Sequence, residues 1–230
     1  MRIKQIIVAG MAASFIAAPA MGNEFDSMED RVSYMIGMDI GQSLAEQDME
    51  LNIDVLVEAL NASYTGEGLR MTQEEALAVR NDFMQARQAE MEQQRDRDAA
   101  RNLEEGQAFL AQNRDRDDVT ETESGLQYRV IEAGEGRSPA ADDVVTVHYR
   151  GTLLNGTQFD SSFDRGEPAT FALNQVIPGW TEGVQLMQEG ARFEFFIPAD
   201  LAYGEMGRPG PIGPNSTLIF EVELIEVQGD

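Results

Sequence analysis

Val176-Ile177-Pro178-Gly179-Trp180 decides how we interpret the rest of the chain, because it places the only tryptophan directly after a Pro-Gly pair. A Pro-Gly pair is typical of a turn. Beyond it, Trp180, Val184 and Met187 recur at helical spacing, which predicts a short helix over 180–187. Trp180 would then face inward from the first turn of that helix. An inward tryptophan is ordinarily a core residue, so the neighbouring segments must decide its role.

Alternating apolar residues predict strands on both sides of this helix. The expected strands cover residues 126–131, 144–150, 169–173, 192–197 and 217–227, separated by turns rich in Gly, Pro and Asp. Antiparallel strands that wrap one helix form an α+β domain of about 110 residues.

Strand alternation also predicts which side chains meet inside this domain. Val145, Val147 and Tyr149 share one face of their strand, whereas His148, the only histidine, points to the other. This parity favours a solvated His148 over a general base, and it excludes a Ser-His-Asp triad. The inward residues predict an aromatic pocket with few polar atoms, which are those of Asp160, Tyr203 and the Ile177 N–H. Its expected lining is Tyr149, Phe159, Phe171, Trp180 and Phe220.

Two helices are predicted near the start of the chain. In residues 26–47, an apolar residue recurs every fourth position, at Val32, Ile36, Ile40 and Leu44. Asn52 or Asp54 could cap a second helix, in which Ile53, Leu56, Val57 and Leu60 would face inward. Because the first helix is apolar around much of its circumference, we expect a partner chain to cover it.

A long helix is predicted next. It begins at the capping box Thr72-Gln73-Glu74-Glu75 and runs without proline to about Gln112. Residues 93–102 are polar on nearly every side, which favours a stalk that bridges solvent between domains. A coiled coil is the alternative, but the heptad pattern fails beyond Met91.

Composition and the first residues bear on location and partners. The chain has 41 acidic and 17 basic residues, which argues against nucleic acid or an anionic membrane as partner. The absence of cysteine excludes disulfides and thiolate metal sites. Residues 1–22 combine Arg2 and Lys4 with an apolar run over 6–18 and small residues after it, which predicts a cleaved signal peptide. We expect export to a bacterial periplasm and no membrane span, while outer-membrane or cell-surface association stays open.

Four separate motifs, in order, resemble the FKBP-type peptidyl-prolyl isomerases. They are Val147-His148-Tyr149, Phe159-Asp160-Ser161-Ser162, Val176 to Trp180, and Ala202-Tyr203-Gly204. The helical front half, with Tyr34-Met35-Ile36-Gly37 and the long charged helix, looks like the periplasmic Mip and FkpA-like branch. The resemblance implies a half-open antiparallel sheet wrapped around a short helix, preceded by an all-α dimerisation domain and a long connecting helix. The expected division is 1–22 signal peptide, 23–70 dimerisation domain, 71–115 connecting helix and 116–230 isomerase domain.

Carried over by position, the family's proline pocket would have Trp180 as its floor. Its walls would be Tyr149, Phe159, Phe171, Val176, Ile177 and Phe220, with Ile212 as the apolar residue of the flap loop. Tyr203 and the Ile177 N–H would hold the substrate backbone. Two roles fit Asp160: it polarises the amide, or it orients Tyr149 or an arginine such as Arg165. Arg208 stands where some members carry a histidine.

The resemblance implies an isomerase without cofactor or metal, acting on unfolded or partly folded exported proteins with X-Pro bonds and bound by macrolide inhibitors. It also implies a V-shaped homodimer held through residues 23–70. A holdase-type chaperone or a surface-exposed binding protein, in which isomerisation is secondary, is the alternative function. Its client site would be the cleft between two arms or the methionine-rich front helices, with Met28, Met35, Met38 and Met49.

Overall fold

The computed structural model describes residues 25–46 and 50–228 of the chain. Contacts divide it into two units, one up to Thr72 and one from Gln73 onward, here called the helical unit and the sheet unit. The predicted signal peptide and Met49 lie outside the described residues.

The helical unit contains two helices, α1 (Met28–Glu46) and α2 (Ile53–Thr65). Asn52 caps α2 by accepting the N–H of Val55, and Gly66 ends the helix in the left-handed conformation with φ 76°. None of the described residues of α1 is buried, and in α2 only Ala62 is. Among the described residues, the apolar side chains expected to face inward from α2 are therefore not buried in a core: Ile53, Val57 and Leu60 are exposed.

The sheet unit begins with the long helix α3 (Gln73–Arg114) and continues with seven strands and two short helices. The strands are β1 (Thr120–Glu121), β2 (Gln127–Glu132), β3 (Val144–Leu153), β4 (Gln158–Ser161), β5 (Ala169–Ala172), β6 (Arg192–Ile197) and β7 (Leu218–Gln228). The helices are α4 (Ser162–Arg165) and α5 (Pro178–Gln185). All pairings are antiparallel, in the order β1-β2-β6-β7-β3-β4, with β5 also paired to β3. The α+β prediction is confirmed.

The core lies between the inner face of this sheet and α5. Val145, Val147 and Tyr149 of β3 are buried, as strand alternation predicted. Phe193, Phe195 and Ile197 of β6, Leu218, Phe220, Val222 and Leu224 of β7, and Trp180 and Val184 of α5 complete the inner layer.

The Pro-Gly pair begins α5 and does not form a separate turn before it. Pro178 occupies the first helical position, where its missing N–H costs nothing and its fixed φ suits the helix. A Cβ on Gly179 would lie 2.5 Å from Ile197 Cγ2, and one on Gly183 would lie 2.7 Å from Phe195. The two glycines, one turn apart, therefore let α5 approach β6 closely, and this sets the depth of Trp180.

The last third of α3 packs on the sheet, which differs from the expected stalk. Phe109 contacts Phe196 with ring centroids 5.7 Å apart, and the buried Asn113 donates to Gln127 Oε1 at 2.9 Å. Phe196 lies on the outer face of β6, so α3 adds a second layer there. A helix that is polar on all sides crosses solvent only where no other element packs on it. Here the sheet packs on α3, through residues that lie far from α3 in the sequence.

Candidate active site

A cavity of about 430 Å³ opens between α5 and the inner face of the sheet. Nine of the ten residues predicted for the site line it. The tenth, Ile212, is buried in the adjoining core and is not part of the lining. The full lining is Tyr149, Phe159, Asp160, Phe171, Gln175, Val176, Ile177, Trp180, Tyr203, Arg208 and Phe220.

Trp180 is the buried centre of the cavity's aromatic residues. Its indole stands nearly perpendicular to three rings, those of Tyr149 at 89°, Phe171 at 83° and Phe220 at 83°. The centroid distances to them are 5.3, 5.6 and 5.3 Å. These are favourable edge-to-face contacts, and none of the three rings stacks parallel on the indole.

Gly151 of β3 makes room for one side of this aromatic wall. It pairs with Phe220 of β7, and a Cβ at this position would lie 2.7 Å from the Phe220 ring and 2.5 Å from Phe159. The two rings meet edge to face at 5.4 Å over the space that a side chain would occupy. Glycine at this strand position therefore lets Phe159 and Phe220 reach the cavity together.

Asp160, Tyr149 and Arg165 form a hydrogen-bonded group at the cavity rim. Tyr149 donates its hydroxyl to Asp160 Oδ2 at 2.6 Å, and Arg165 donates from Nη1 to Asp160 Oδ1 at 2.6 Å. Arg165 also donates from Nη2 to the Tyr149 oxygen at 3.0 Å, and its guanidinium lies 5.5 Å from the tyrosine ring centroid. Both carboxylate oxygens are thus engaged by neighbours, a geometry that favours the orienting role of Asp160 over direct polarisation of a substrate amide.

Protonation within this group follows from its contacts. Burial opposes ionisation of Asp160, but the hydrogen bonds from Tyr149 and Arg165 outweigh it and hold the pKa of the carboxyl below its ordinary value. Burial, followed by the hydrogen bond to Asp160, raises the pKa of the Tyr149 hydroxyl. Near neutral pH the group therefore consists of a carboxylate, a neutral phenol and a guanidinium, and it holds one protonation state.

Tyr203 and Ile177 supply the other polar atoms that were predicted for the cavity. The Tyr203 oxygen accepts a hydrogen bond from Arg208 Nη1 at 3.2 Å, with the guanidinium 5.7 Å from the ring centroid. Ile177 caps α5 with extended backbone, φ −60° and ψ 147°, and the N–H of a cap residue is not used by the helix that follows. Gln175 lines the same edge from a 3₁₀ turn over Leu173–Gln175.

Sequence reasoning missed Gln175, and it left Arg208 without a role. No periodic pattern marks Gln175, because it lies on a short turn between two elements. Arg208 lies in a loop rich in Gly and Pro, where only the tertiary fold places it beside Tyr203.

His148 lies on the opposite face of β3 from the cavity, as predicted, but it is not simply solvated. Its Nδ1 lies 3.0 Å from Ser162 Oγ, and its ring stacks on Phe163 at 4.8 Å. Ser162 Oγ in turn accepts the N–H of Tyr149 at 2.8 Å. His148 therefore supports the backbone behind the rim. Among residues 25–46 and 50–228, histidine and acidic side chains do not gather in groups of three that could hold a metal ion.

Two family models match the chain. The model described as FKBP-type peptidyl-prolyl cis-trans isomerase matches residues 135–225, which include every residue that lines the cavity. The model described as the domain amino terminal to FKBP-type peptidyl-prolyl isomerase matches residues 29–130. The Outer membrane protein MIP of Legionella longbeachae is 41% identical over 228 residues, which cover 99% of this chain and 98% of that protein. The chain belongs to the FKBP-type peptidyl-prolyl cis-trans isomerases.

Two further proteins support this membership. A probable FKBP-type isomerase FkpA of Neisseria meningitidis serogroup B is 46% identical over 204 residues, covering 87% of this chain and 75% of that protein. The crystal structure of FkpA from Escherichia coli matches with a TM-score of 0.74 at 33% identity, covering 89% of this chain and 98% of that one. The resemblance to the Mip and FkpA-like branch of the FKBP-type isomerases is confirmed, and with it the prediction of an isomerase. None of the helices in the described part of this FKBP-type chain is long and apolar enough to cross a membrane.

Proposed function

We propose that the aromatic cavity is the catalytic site, in which the proline of an X-Pro peptide rests on Trp180. The observation that carries this is the buried indole that lines the cavity, with three aromatic rings nearly perpendicular to it. A volume of about 430 Å³ suits a small ring with its flanking backbone and falls in the range of small-ligand cavities.

Such a cavity fits the chemistry of X-Pro isomerisation. The bond rotates over a barrier of about 20 kcal/mol, which takes tens of seconds unaided. Twisting the amide removes the resonance that makes its ground state polar. An apolar environment therefore disfavours the planar ground state more than the twisted transition state.

The polar atoms at the rim hold the substrate backbone while the amide rotates. Tyr203 donates its hydroxyl to a substrate carbonyl, and the Ile177 N–H donates to a second one. Asp160 acts through Tyr149 and Arg165, which it orients at the cavity wall, and is a positioning residue. Ile212 shapes the loop from within the core beside the cavity.

Isomerisation kinetics without a coupling protease test this assignment. Full-length chain is expected to accelerate cis-trans exchange of a short proline peptide, and a macrolide inhibitor of the family to block it. Tyr203→Phe and Asp160→Ala are each expected to lower kcat/KM. Wild-type turnover in both variants would show that the site assignment is wrong.

We further propose that the protein acts as a homodimer on exported, partly folded proteins in a bacterial periplasm. Arg2, Lys4 and the apolar run over 6–18 support export, and the name of the Legionella relative supports placement at the cell envelope. The exposed apolar stripe of Val32, Ile36 and Ile40 supports dimerisation through residues 23–70.

A chaperone function is the second candidate, and a different face of α1 favours it. Met28, Met35 and Met38 are all exposed, and at 100° per residue they lie roughly 80° to 160° around the helix from the centre of the aliphatic stripe. Flexible methionine side chains adapt to varied apolar clients. One face could therefore hold the partner subunit while the other binds an unfolded segment.

Suppression of aggregation of a proline-free client separates the two functions. In the full-length chain, Met35→Ser with Met38→Ser is expected to weaken suppression and keep isomerisation, and Trp180→Leu to do the reverse. Loss of both activities in either variant would argue against two separate sites. Light scattering of each variant verifies that the oligomeric state has not changed.

A further inference from the structure

The last half of α3 is hydrogen-bonded to residues 204–217, here called the 204–217 loop. Asn102 Nδ2 donates to the Pro214 carbonyl at 2.8 Å and lies 3.4 Å from Ser216 Oγ. In the opposite direction, Asn215 Nδ2 donates to the Ala99 carbonyl at 3.3 Å. Two asparagine amides thus join the helix to the C-terminal part of the loop, one from each side.

Contacts at both ends extend this junction along the helix. A Cβ on Gly106 would lie 2.4 Å from Thr217 Oγ1, so only glycine lets the helix meet the buried Thr217 this closely. At the other end, Arg95 Nη2 lies 3.5 Å from the Glu205 carbonyl oxygen and 3.3 Å from Met206 Sδ. Arg95 to Gly106 spans about 16 Å of helix, so α3 contacts the loop over roughly three turns.

The same loop carries the polar edge of the cavity. Tyr203 immediately precedes it, Arg208 lies within it, and β7 with Phe220 follows it. The loop is closed by the Asn215 N–H, which donates to the Gly204 carbonyl at 2.9 Å. Asn215 has a left-handed backbone with φ 55°, which asparagine tolerates better than most residues. One residue therefore closes the loop with its backbone and binds α3 with its side chain.

We propose that α3 positions the cavity: it holds the 204–217 loop in the arrangement in which Tyr203 and Arg208 line the site. Asn102 and Asn215 are the positioning residues. This inference rests on the proposed function of the cavity. When the contacts are lost, the loop occupies the binding-competent arrangement for a smaller fraction of the time. The apparent affinity for the substrate falls in proportion to that fraction. Saturating substrate restores the arrangement, so turnover at saturation changes little.

Asn102→Ala in the full-length chain tests the proposal, with Asn113→Ala as the matched control. Both changes remove an asparagine amide through which α3 packs on the rest of the sheet unit, but Asn102 bonds to the loop whereas Asn113 bonds to Gln127 of β2, away from the loop. Trp180 is the only tryptophan, so its fluorescence reports binding of a proline tetrapeptide without a label. Protease-free kinetics give KM and kcat, and hydrogen exchange reports protection of residues 204–217.

For Asn102→Ala, we expect the peptide dissociation constant and KM to rise about threefold to tenfold, because one hydrogen bond that stabilises the loop is lost. We expect kcat to stay within about twofold of the wild-type value. Loop amides should exchange faster. Asn113→Ala should lower the melting temperature and change neither constant. Gly106→Ala, which pushes α3 from Thr217, should shift KM in the same direction as Asn102→Ala.

Two results would overturn the proposal. One is wild-type KM and loop protection in both Asn102→Ala and Gly106→Ala, and the other is an equal rise of KM in Asn113→Ala. A wild-type chain that neither binds nor isomerises the peptide would overturn the proposed function, and this inference with it. The wild-type measurement thus distinguishes the two failures.

Discussion

Ile36 on α1 and Val130 on β2 are equally exposed, at 50% and 51%, yet they belong to units that are built differently. The sheet unit buries a contiguous layer of aromatic and aliphatic residues, and Val130 lies outside that layer. The helical unit buries only Ala62 among its described residues, although α1 and α2 carry several large apolar side chains. Helices of 19 and 13 residues gain most of their stability from packing, and the described residues of the helical unit show little packing, which supports the proposed dimer.

The largest expected effect comes from placing a charge at Ile36, and the same change at Val130 is the matched control. Ile36→Asp is expected to weaken dimerisation at least about a hundredfold, because an unpaired carboxylate would be desolvated at the interface. Val130→Asp should leave the oligomeric state unchanged, since water already reaches it. Sedimentation velocity over a concentration series measures both. A dimer that survives Ile36→Asp would place the interface elsewhere.

The sheet unit also leaves apolar surface uncovered, in its cavity, but this surface differs in shape from the apolar stripe on α1. Its cavity is concave and about 430 Å³, whereas the stripe on α1 runs along an open helix. A long, open face fits a protein surface, and a concave aromatic one fits a single ring. Shape, more than the amount of exposed apolar surface, therefore separates the two proposed kinds of partner.

A second comparison lies within the sheet unit, between Trp180 and Phe193, which are both buried aromatics. Trp180→Leu is expected to lower kcat/KM at least about tenfold, because the proline loses its aromatic platform. Phe193→Leu, outside the cavity lining, should destabilise the fold by about 2 kcal/mol and leave kcat/KM within about twofold. Thermal unfolding and protease-free kinetics measure the two quantities. An equal loss of activity in Phe193→Leu would mean that the effect arises from the fold.

The hydrogen-bonded group at the rim gives a smaller effect with a defined pH dependence. The folded pKa of Asp160 lies below its ordinary 3.8, so its contribution to stability is complete above that value and is lost as pH falls through the folded pKa. We expect kcat/KM to be flat from about pH 5 to 8. Asp160→Asn should lower it about threefold to tenfold, as for one partly exposed charge-assisted hydrogen bond.

The low-pH part of the kcat/KM profile compares the wild-type carboxylate of Asp160 with the amide of Asp160→Asn. Wild-type protein should approach the activity of Asp160→Asn only as pH falls below 3.8 and through the lowered pKa of Asp160, because protonation removes the same charge. Stopped-flow isomerisation in matched ionic strength measures this convergence. A wild-type profile that titrates between pH 5 and 8 would assign the control of activity to a different group.

The sequence predicted those parts of the fold that depend on local periodicity. Period-two alternation identified the buried faces of β3, β6 and β7 and the inward rings of Phe171 and Phe220, and the four motifs contain the other seven predicted residues that line the cavity. Short elements such as β4 and α4 were not predicted as elements, because Phe159 to Arg165 is too brief for a period to emerge. The beginning of α5 differed for a related reason: Pro178-Gly179 is compatible with a turn or a first helical turn, and only packing on Ile197 selects the helix.

Contacts between distant segments could not be predicted. The polar residues of α3 indicated a helix that crosses solvent. No pattern in residues 93–114 predicts that Asn102 contacts Pro214 or that Gly106 contacts Thr217. Likewise, the engagement of both Asp160 oxygens depends on side-chain positions that a sequence pattern does not fix. Ile212 matched the family pattern, but the fold buries it beside the cavity.

The smallest effect is expected from Arg208, and it can be compared with Arg150. Each guanidinium lies 5.7 Å from an aromatic ring centroid, but Arg208 lies over Tyr203 in the cavity whereas Arg150 lies over Phe163 outside it. By donating to the Tyr203 oxygen, Arg208 makes that hydroxyl a stronger donor toward a substrate carbonyl. Arg208→Ala should therefore lower kcat/KM about twofold to threefold, in line with an exposed contact, and Arg150→Ala should leave it unchanged. In a Tyr203→Phe background the Arg208 effect should vanish, since the oxygen that it polarises is gone. An Arg208 effect that persists there would mean that the guanidinium contacts the substrate itself.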